Sequence, residues 1–537
     1  MMKSRIRQYR LPLLILGGAL TGLTLVFPQV GLLEWITLTP ALAVLLYACR
    51  DKSVRLKNVY FYGFLTFLSY YTVTFHWFCY MYPLDFTGIS KPAALGVVLL
   101  AWLGISAFQA ATMAFAVPLA ALVIRGKRVD GLPFIHPFVI ATVWTVFEWL
   151  QAHTGFAGVP WARLCLGQTS MTVMIQSSSL FGSYFITLML LVTNGLAAYI
   201  LIYASKRKLA GLVAVSVFAV NLATGIVCLS APKDESRPIR VAAIQGNVSS
   251  REKWAGESAL EHTKQIYREL SLAAAEQGAD VIVWPETAFP YNIEAVDDVR
   301  WFMCDLAREC DATLLVSAFT EGENGTGLYN SVVAIDRSGN ISQTEYHKIN
   351  LVPFGEFVPW RDVIMTLFPP LANIGMLDDD LLFGENAEVF ETEYGKISSM
   401  ICFDSIYEDN ALNSVRSGAE LLAVATNDSW FSDSAAVYMH NAQAQLRAVE
   451  TGRYLVRAAN TGVSSVISST GEIMEILPPF EEGYVIEDVY LSSKATLYSR
   501  IGNLAVYLCF GFVAALLLCR PADMLLVEFS KKRQSGQ

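Results

Sequence analysis

The clearest structural signal in the chain is Ser398-Ser-Met-Ile-Cys402-Phe-Asp404-Ser-Ile-Tyr407, where an apolar run ends at a cysteine and a polar segment begins. The pattern predicts a strand over Lys396–Cys402 and a helix over Ser405–Arg416. A thiol at this junction lies near the N terminus of a helix, and that setting favours the thiolate. Considered alone, Cys402 is also compatible with a buried, inert cysteine.

Two further segments place a reactive side chain at the end of a predicted strand. In Val281-Ile-Val-Trp-Pro-Glu286, a carboxylate follows a buried strand and a proline, which suits a general base. In Tyr346-His-Lys348, a lysine leaves a strand and enters an apolar segment, where its cation could stabilise an oxyanion. By themselves, Glu286 could be a turn cap and Lys348 a solvated lysine. Together with Cys402 they supply a nucleophile, a base and an electrostatic partner.

Strands and helices alternate on both sides of Cys402, which predicts an α/β sandwich with one compact core. The other predicted helices are Ser258–Gln277, Val296–Cys310 and Tyr438–Arg457. The other predicted strands are Ile239–Gln245, Val281–Trp284, Thr313–Ala318, Tyr329–Asp336, Ile341–His347, Leu421–Ala425, Ser464–Ser468 and Tyr484–Val489.

Apolar stretches of membrane-spanning length flank this region. The chain of 537 residues is 54% hydrophobic and only 16% charged, which excludes a disordered protein, a nucleic-acid binder and an ordinary soluble enzyme. We predict about eight transmembrane helices, the first two forming a short hairpin split near Pro28. The stretches lie near 11–27, 29–49, 58–80, 92–124, 133–152, 172–204, 209–230 and 498–519.

Charge is distributed in three blocks. Residues 1–232 hold 16 Lys+Arg against 5 Asp+Glu, residues 233–497 hold 18 against 41, and residues 498–537 hold 5 against 2. The net charges are therefore +11, −23 and +3. We predict a transmembrane bundle over 1–232, an inserted domain over 233–497, a final transmembrane helix over 498–520 and a tail over 521–537.

Basic clusters orient the predicted spans. They follow the second, fourth, sixth and eighth stretches and also precede the first, so all fall on one side of the membrane if every stretch spans it. The positive-inside rule makes that side the cytoplasm. Both termini are then cytoplasmic, and the 233–497 domain lies outside, in the periplasm or its equivalent.

Glu286, Lys348 and Cys402, in this order and each closing a strand, resemble the catalytic set of the nitrilase or carbon–nitrogen hydrolase superfamily. With the apolar stretches added, the chain is similar to the bacterial apolipoprotein N-acyltransferases, the membrane members of that superfamily. The segments that carry the resemblance are Trp284-Pro-Glu286, His347-Lys348, Leu351-Val-Pro-Phe-Gly-Glu356-Phe-Val-Pro359, Cys402-Phe-Asp404, Asn427-Asp-Ser-Trp-Phe431, Arg447-Ala-Val-Glu-Thr-Gly-Arg453 and Arg457-Ala-Ala-Asn-Thr-Gly462.

The resemblance implies an α-β-β-α domain and an acyl transfer from a membrane phospholipid to the N-terminal amine of a diacylated apolipoprotein. It assigns Cys402 as nucleophile, Glu286 as general base, Lys348 as oxyanion stabiliser and Glu356 as a supporting glutamate. The reaction needs neither metal nor nucleotide, and we find no motif for either. The alternatives are a membrane-tethered amidase with the same triad and a catalytically silent lipid- or lipoprotein-binding protein.

The chain departs from the family pattern after the cysteine, where Phe403 and Asp404 replace the commoner tyrosine and glutamate. We expect this to affect substrate placement more than the chemistry. Three tryptophans are candidates for substrate binding: Trp161, Trp254 and Trp360. Trp360 belongs to the apolar segment Phe354–Met376, which we predict to be a lid or arm that enters the membrane interface.

Overall fold

The computed structural model describes residues 8–84, 89–155, 158–232, 236–249, 253, 256–322, 325–367 and 379–518. These residues divide into two compact units. One contains the residues up to 76, 99–229 and those from 501 onward, and the other contains 77–98 and 230–500. The second unit therefore includes the predicted inserted domain and also the end of the span predicted near 58–80, the start of the span predicted near 92–124 and the residues that connect them.

The second unit contains two six-stranded sheets. The first has the order β12-β1-β2-β3-β4-β5, in which β1, β2 and β3 are parallel and the other neighbours are antiparallel. The strands are β1 Pro238–Gln245, β2 Val281–Val283, β3 Thr313–Glu321, β4 Leu328–Ile335, β5 Ile341–His347 and β12 Gly483–Tyr490.

The second sheet repeats this arrangement with the order β11-β10-β9-β8-β7-β6. Here β7, β8 and β9 are parallel, and the outer strands are antiparallel to their neighbours. The strands are β6 Phe390–Glu391, β7 Lys396–Ile401, β8 Leu421–Thr426, β9 Leu455–Ala459, β10 Ser464–Ile467 and β11 Ile473–Leu477.

The sheets form the two inner layers of a sandwich. Apolar side chains from both sheets, among them Val283 and Leu421, pack into one cluster between them. Helices Glu257–Glu276 and Asp297–Cys310 cover the outer face of the first sheet. Helices Glu408–Arg416 and Ala435–Thr451 cover the second. The predicted α/β sandwich is therefore confirmed, with α-β-β-α layers.

Two predicted helices need correction. The helix predicted over Tyr438–Arg457 ends at Thr451, because Gly452 adopts a left-handed φ of +66°, and residues 455–459 form β9 instead. The helix predicted from Ser405 begins at Glu408, after a 3₁₀ turn over Cys402–Ile406. Strands β6 and β11 were not predicted, since each is short and the burial of β11 does not alternate along the strand.

The first unit is helical. Among the described residues, five helical stretches are long and apolar enough to cross a membrane: Pro28–Arg50, Lys91–Ile124, Pro133–Ala152, Ser183–Ile202 and Arg207–Ser230. Arg10–Val26 and Leu504–Leu518 are apolar but shorter. Leu56–Thr74 is long enough to cross a membrane, but its tyrosines and threonines reduce its mean hydropathy.

The stretch predicted near 172–204 is not one helix. Short helices Thr172–Ile175 and Ser178–Phe181 precede Gly182, whose φ is +80°, and the long helix begins at Ser183. The stretch predicted near 498–519 also divides, into Leu497–Ile501 and a helix over Leu504–Leu518. Length and apolarity thus identify five of the eight predicted spans.

Small residues allow close helix packing in this unit. A Cβ placed on Gly18 would lie 2.1 Å from Oγ of Ser69 and 2.2 Å from the carbonyl oxygen of Thr66. Helix Arg10–Val26 can therefore pack this closely on helix Leu56–Thr74 only with glycine at this position.

Candidate active site

Three strand ends carry the predicted catalytic side chains. Glu286 follows β2, Lys348 directly follows β5, and Cys402 directly follows β7. All three side chains are buried, with exposed fractions of 5%, 1% and 8%. The structure brings them into one site, since Glu286 and Lys348 are both close enough to the Cys402 thiol for their charges to shift its pKa.

Lys348 lies between two carboxylates. Its Nζ is 2.7 Å from Oε1 of Glu286 and 2.8 Å from the carboxylate of Glu356. Asn330 of β4 donates from Nδ2 to the same two carboxylates, at 2.8 Å and 2.9 Å. The backbone N–H groups of Asn427 and Val352 donate to the remaining oxygens of Glu286 and Glu356, respectively. Both glutamates are thus held as hydrogen-bonded acceptors.

The two glutamates keep the lysine charged. Burial alone lowers the pKa of Lys348, but the negative charges of Glu286 and Glu356 outweigh it and hold the pKa well above its usual range. Lys348 is therefore a fixed cation, as an oxyanion stabiliser must be.

Cys402 does not rest in the state predicted from its position. Burial raises the pKa of its thiol, the charge of Glu286 adds to this effect, and Lys348 opposes it. The expected helix N terminus is a 3₁₀ turn, so the predicted stabilisation of a thiolate is wrong for the resting site. A neutral thiol needs a base before it can attack, and Glu286 is the carboxylate with the largest electrostatic effect on this thiol.

Asp404 ties two parts of the site together. Its fully buried carboxylate accepts from the Tyr346 hydroxyl at 2.7 Å and from the Asn350 N–H at 2.7 Å, and it also accepts from the N–H of Ile401. Burial raises the pKa of Asp404 to about 6, although Lys348 and these hydrogen bonds oppose the effect. The neighbouring Phe403 is buried and packs edge-on against Tyr407.

The three candidate tryptophans have different surroundings. Trp161 is buried within the first unit, in a 3₁₀ helix over Pro160–Ala162. Trp360 is 70% exposed and has a φ of +48°, which is unusual for a bulky side chain. Trp254 lies outside the described residues, as do residues 368–376 of the predicted lid. Substrate binding by these tryptophans remains a prediction.

Asn330 was missed because it lies inside a predicted strand, where an asparagine signals nothing on its own. Asn427 belongs to a segment that carried the resemblance, and its backbone N–H contacts Glu286, which no side-chain pattern reveals.

One group of possible metal ligands lies at the site. Donor atoms of Cys402, Asp428 and His440 lie within 4.8 Å of one another, and all three residues are buried. Asp428 is already paired with His440 at 2.9 Å and with Arg457 at 2.6 Å. Its charge is therefore compensated without a cation.

The second unit and the first match two different family descriptions. Residues 240–497 match the carbon–nitrogen hydrolases, and residues 17–196 match the apolipoprotein N-acyltransferase N-terminal domain. The apolipoprotein N-acyltransferase of Gloeobacter violaceus is 31% identical over 496 residues, which cover 91% of this chain and 89% of that protein. The chain belongs to the apolipoprotein N-acyltransferase family.

Other relatives agree with this membership. The apolipoprotein N-acyltransferase of Geobacter metallireducens is 30% identical over 506 residues, which cover 92% of each chain. Among solved structures, the nitrilase-superfamily protein Nit3 of Saccharomyces cerevisiae has a TM-score of 0.38 and 18% identity, over 51% of this chain and 96% of that one. The match of residues 240–497 to the carbon–nitrogen hydrolases identifies the α/β domain of this apolipoprotein N-acyltransferase family member as a carbon–nitrogen hydrolase domain. Its apolar helices fit a membrane protein.

Proposed function

We propose that the protein transfers a fatty acyl chain from a membrane phospholipid to the N-terminal amine of a diacylglyceryl-cysteine apolipoprotein, through a thioester on Cys402. The observation that carries this mechanism is the site itself, where a buried thiol, a buried carboxylate and a buried lysine lie together and a second, half-buried carboxylate pairs with the lysine. Acyl transfer by way of a covalent intermediate needs this set of groups and no metal.

In the first step, Sγ of Cys402 attacks the phospholipid ester while Glu286 takes the thiol proton. Negative charge develops on the former carbonyl oxygen, and the Lys348 ammonium stabilises it. The ester C–O bond then breaks, Glu286 returns the proton to the leaving alkoxide, and a lysophospholipid departs. This step leaves a thioester on Cys402. Glu286 is again a carboxylate and can act as the base in the next step.

In the second step, the α-amine of the apolipoprotein attacks the thioester and Glu286 accepts a proton from it. The C–S bond breaks, Glu286 passes that proton to the sulfur to restore the thiol, and the new bond is an amide. Glu356 supports both steps, because its charge keeps Lys348 protonated and its position fixes the ammonium against Glu286.

We also propose that eight spans hold the chain in the bacterial inner membrane, with the 233–497 domain in the periplasm and both termini in the cytoplasm. The five apolar helices and the one-sided basic clusters support this topology. A membrane-impermeant maleimide applied to spheroplasts tests it. Ser338→Cys, on an exposed turn of the domain, should react, and Ser53→Cys, in an exposed basic loop, should not.

The mechanism is tested by incubating the purified full-length protein with a phospholipid of defined acyl chains and measuring the mass of the peptide that contains Cys402. We expect an acyl adduct that persists until a synthetic diacylated lipopeptide with a free amine is added. Cys402→Ala should abolish the adduct, whereas Cys304→Ala, at a buried cysteine of the same unit, should leave it unchanged.

The other outcomes separate the alternatives. An adduct that decays to free fatty acid without the lipopeptide would indicate a hydrolase, with water as the acceptor. A Cys402→Ala variant that still transfers acyl chains would rule out the thioester.

A further inference from the structure

A second set of buried polar residues lies around the nucleophile on the side of the second sheet. The imidazole of His440, on helix Ala435–Thr451, has Nδ1 2.9 Å from Oδ1 of Asp428. Its Nε2 is 3.1 Å from the carbonyl oxygen of Cys402 and 3.0 Å from Oγ of Ser405. The ring therefore spans the distance between a charged carboxylate and the backbone of the catalytic cysteine.

Asp428, at one end of this series of contacts, is firmly held. Oδ2 of Asp428 lies 2.6 Å from Arg457 on β9, and the Thr426 hydroxyl donates to Oδ1. Burial alone raises the pKa of Asp428, but the charges of His440 and Arg457 outweigh it and lower the pKa to about 2. Asp428 is thus an acceptor only, so Nδ1 of His440 carries the ring hydrogen.

The other end holds the carbonyl of Cys402. The Ser405 hydroxyl lies 2.7 Å from that oxygen and 3.0 Å from Nε2 of His440, so its single hydrogen is shared between them. With its hydrogen on Nδ1, the His440 ring cannot donate from Nε2, so it acts on the carbonyl through the Ser405 hydroxyl that it orients. A buried carbonyl in contact with an oriented hydroxyl has little freedom to rotate. Rotation of this peptide plane would move the Cα–Cβ bond that aims the thiol.

The backbone of Cys402 needs such support, because its φ is +48°. A residue with a side chain is strained in this left-handed region and persists there only where its surroundings hold it. Among the described side chains, the Ser405 hydroxyl donates to the carbonyl of Cys402, and Nε2 of His440 orients that hydroxyl.

We propose that His440 is a positioning residue for acyl transfer, which fixes the left-handed backbone of Cys402 through the Ser405 hydroxyl that contacts the Cys402 carbonyl, while Asp428 fixes the ring. Among the described groups that face His440 are Asp428, Arg457, Ser405 and Cys402. The acyl-transfer part of this inference rests on the proposed thioester mechanism.

Two substitutions separate positioning from simple structural support. In His440→Asn the side-chain amide reaches the place of Nδ1 and keeps the partner of Asp428, but it cannot reach the Cys402 carbonyl. In His440→Gln the amide reaches the place of Nε2 and keeps the contacts with Cys402 and Ser405, but it loses Asp428. We therefore expect the rate of thioester formation to depend on the contact on the Cys402 side of the ring. Thermal stability should depend on the contact with Asp428.

The experiment measures kcat and KM for thioester formation, the melting temperature and the rate at which iodoacetamide alkylates Cys402 in the full-length protein. His440→Asn should lower kcat about 100-fold with KM unchanged, the scale of a misplaced reacting group. His440→Gln should keep kcat within about 10-fold of the parent and have the lower melting temperature. Alkylation, which uses no lipid, should slow in His440→Asn and not in His440→Gln.

The matched controls are His136→Asn and His136→Gln, because His136 is equally buried and also has contacts at both ring nitrogens, but lies in the first unit. Both controls should keep the parental kcat. An active His440→Asn, or activity that falls only in proportion to stability in both His440 variants, would overturn the inference. A parent protein that forms no thioester would overturn the proposed function instead, and alkylation would still decide the role of His440.

Discussion

The Tyr346 hydroxyl donates a hydrogen bond of 2.7 Å to Oδ2 of Asp404, and this contact joins the segment that carries Lys348 to the segment that carries Cys402. Both side chains are fully buried. Two catalytic groups on different sheets can keep a constant separation only if such contacts cross between the sheets. The aspartate that departs from the family pattern therefore has a structural role that its sequence position did not reveal.

Tyr346→Phe should test this contact. Loss of the hydroxyl leaves a buried carboxylate oxygen with one donor fewer, which should cost about 1–2 kcal/mol of unfolding free energy. Thioester formation should slow about 10-fold, because the Lys348 segment is held less firmly. Differential scanning fluorimetry and the adduct assay measure the two effects.

The control is Tyr267→Phe. Tyr267 is also fully buried in the second unit, but within the described part of the chain its hydroxyl has no hydrogen-bond partner. Its removal should leave stability and activity close to the parental values. Equal losses in the two variants would mean that the Tyr346 contact has no specific role.

The raised pKa of Cys402 predicts an unusual pH dependence of thiol alkylation. An ordinary cysteine with a pKa of about 8.5 reacts with iodoacetamide at a rate that levels off above that pH. The rate at Cys402 should still be rising at pH 9, since burial and Glu286 both favour the neutral thiol. Peptide mass spectrometry follows this site separately from the other cysteines. A plateau below pH 8 would contradict the structure.

Charge substitutions should shift this alkylation profile in opposite directions. Glu286→Gln removes a negative charge that raises the thiol pKa, so alkylation at pH 8 should become faster although acyl transfer is lost. Lys348→Met removes the opposing positive charge and should make alkylation slower. A matched slowing in both variants would indicate general damage to the site instead of an electrostatic effect.

The positions of Glu286 and Cys402 could be predicted because each follows an apolar run that ends abruptly, and the position of Lys348 could be predicted because it leaves a strand and enters an apolar, proline-bounded segment. The protonation state of Cys402 could not, since it depends on burial and on a carboxylate from the other sheet. The end of helix Ala435–Thr451 was also missed, because Arg453 and Arg457 look like helix-surface residues. Both are buried and bind backbone carbonyls, and Arg457 also binds Asp428.

Asn330 should be sensitive to the exchange of its amide for a carboxylate. Asn330→Asp places an acceptor where Nδ2 donates to Glu286 and Glu356, so three carboxylates would share one lysine. Repulsion between like charges should displace the Glu286 carboxylate, so kcat for thioester formation should fall about 100-fold. Asn330→Ala removes the donor without adding charge and should lower kcat less, by about 10-fold. Parental kcat values in both variants would exclude a role for Asn330 in holding the base.

Gly462 should not tolerate a side chain, for a reason that connects it to the nucleophile. A Cβ at this position would lie 2.3 Å from Oδ2 of Asp428, the oxygen that binds Arg457. Gly462→Ala must therefore displace Asp428 and, with it, the ring of His440 that lies against the Cys402 carbonyl. We expect a lower melting temperature and a kcat for thioester formation reduced at least about 10-fold. Gly104→Ala is the control, because a Cβ there would meet no atom within 4 Å. If Gly462→Ala keeps the parental kcat, the buried series of side-chain contacts from Arg457 through Asp428 and His440 to Cys402 does not position the thiol.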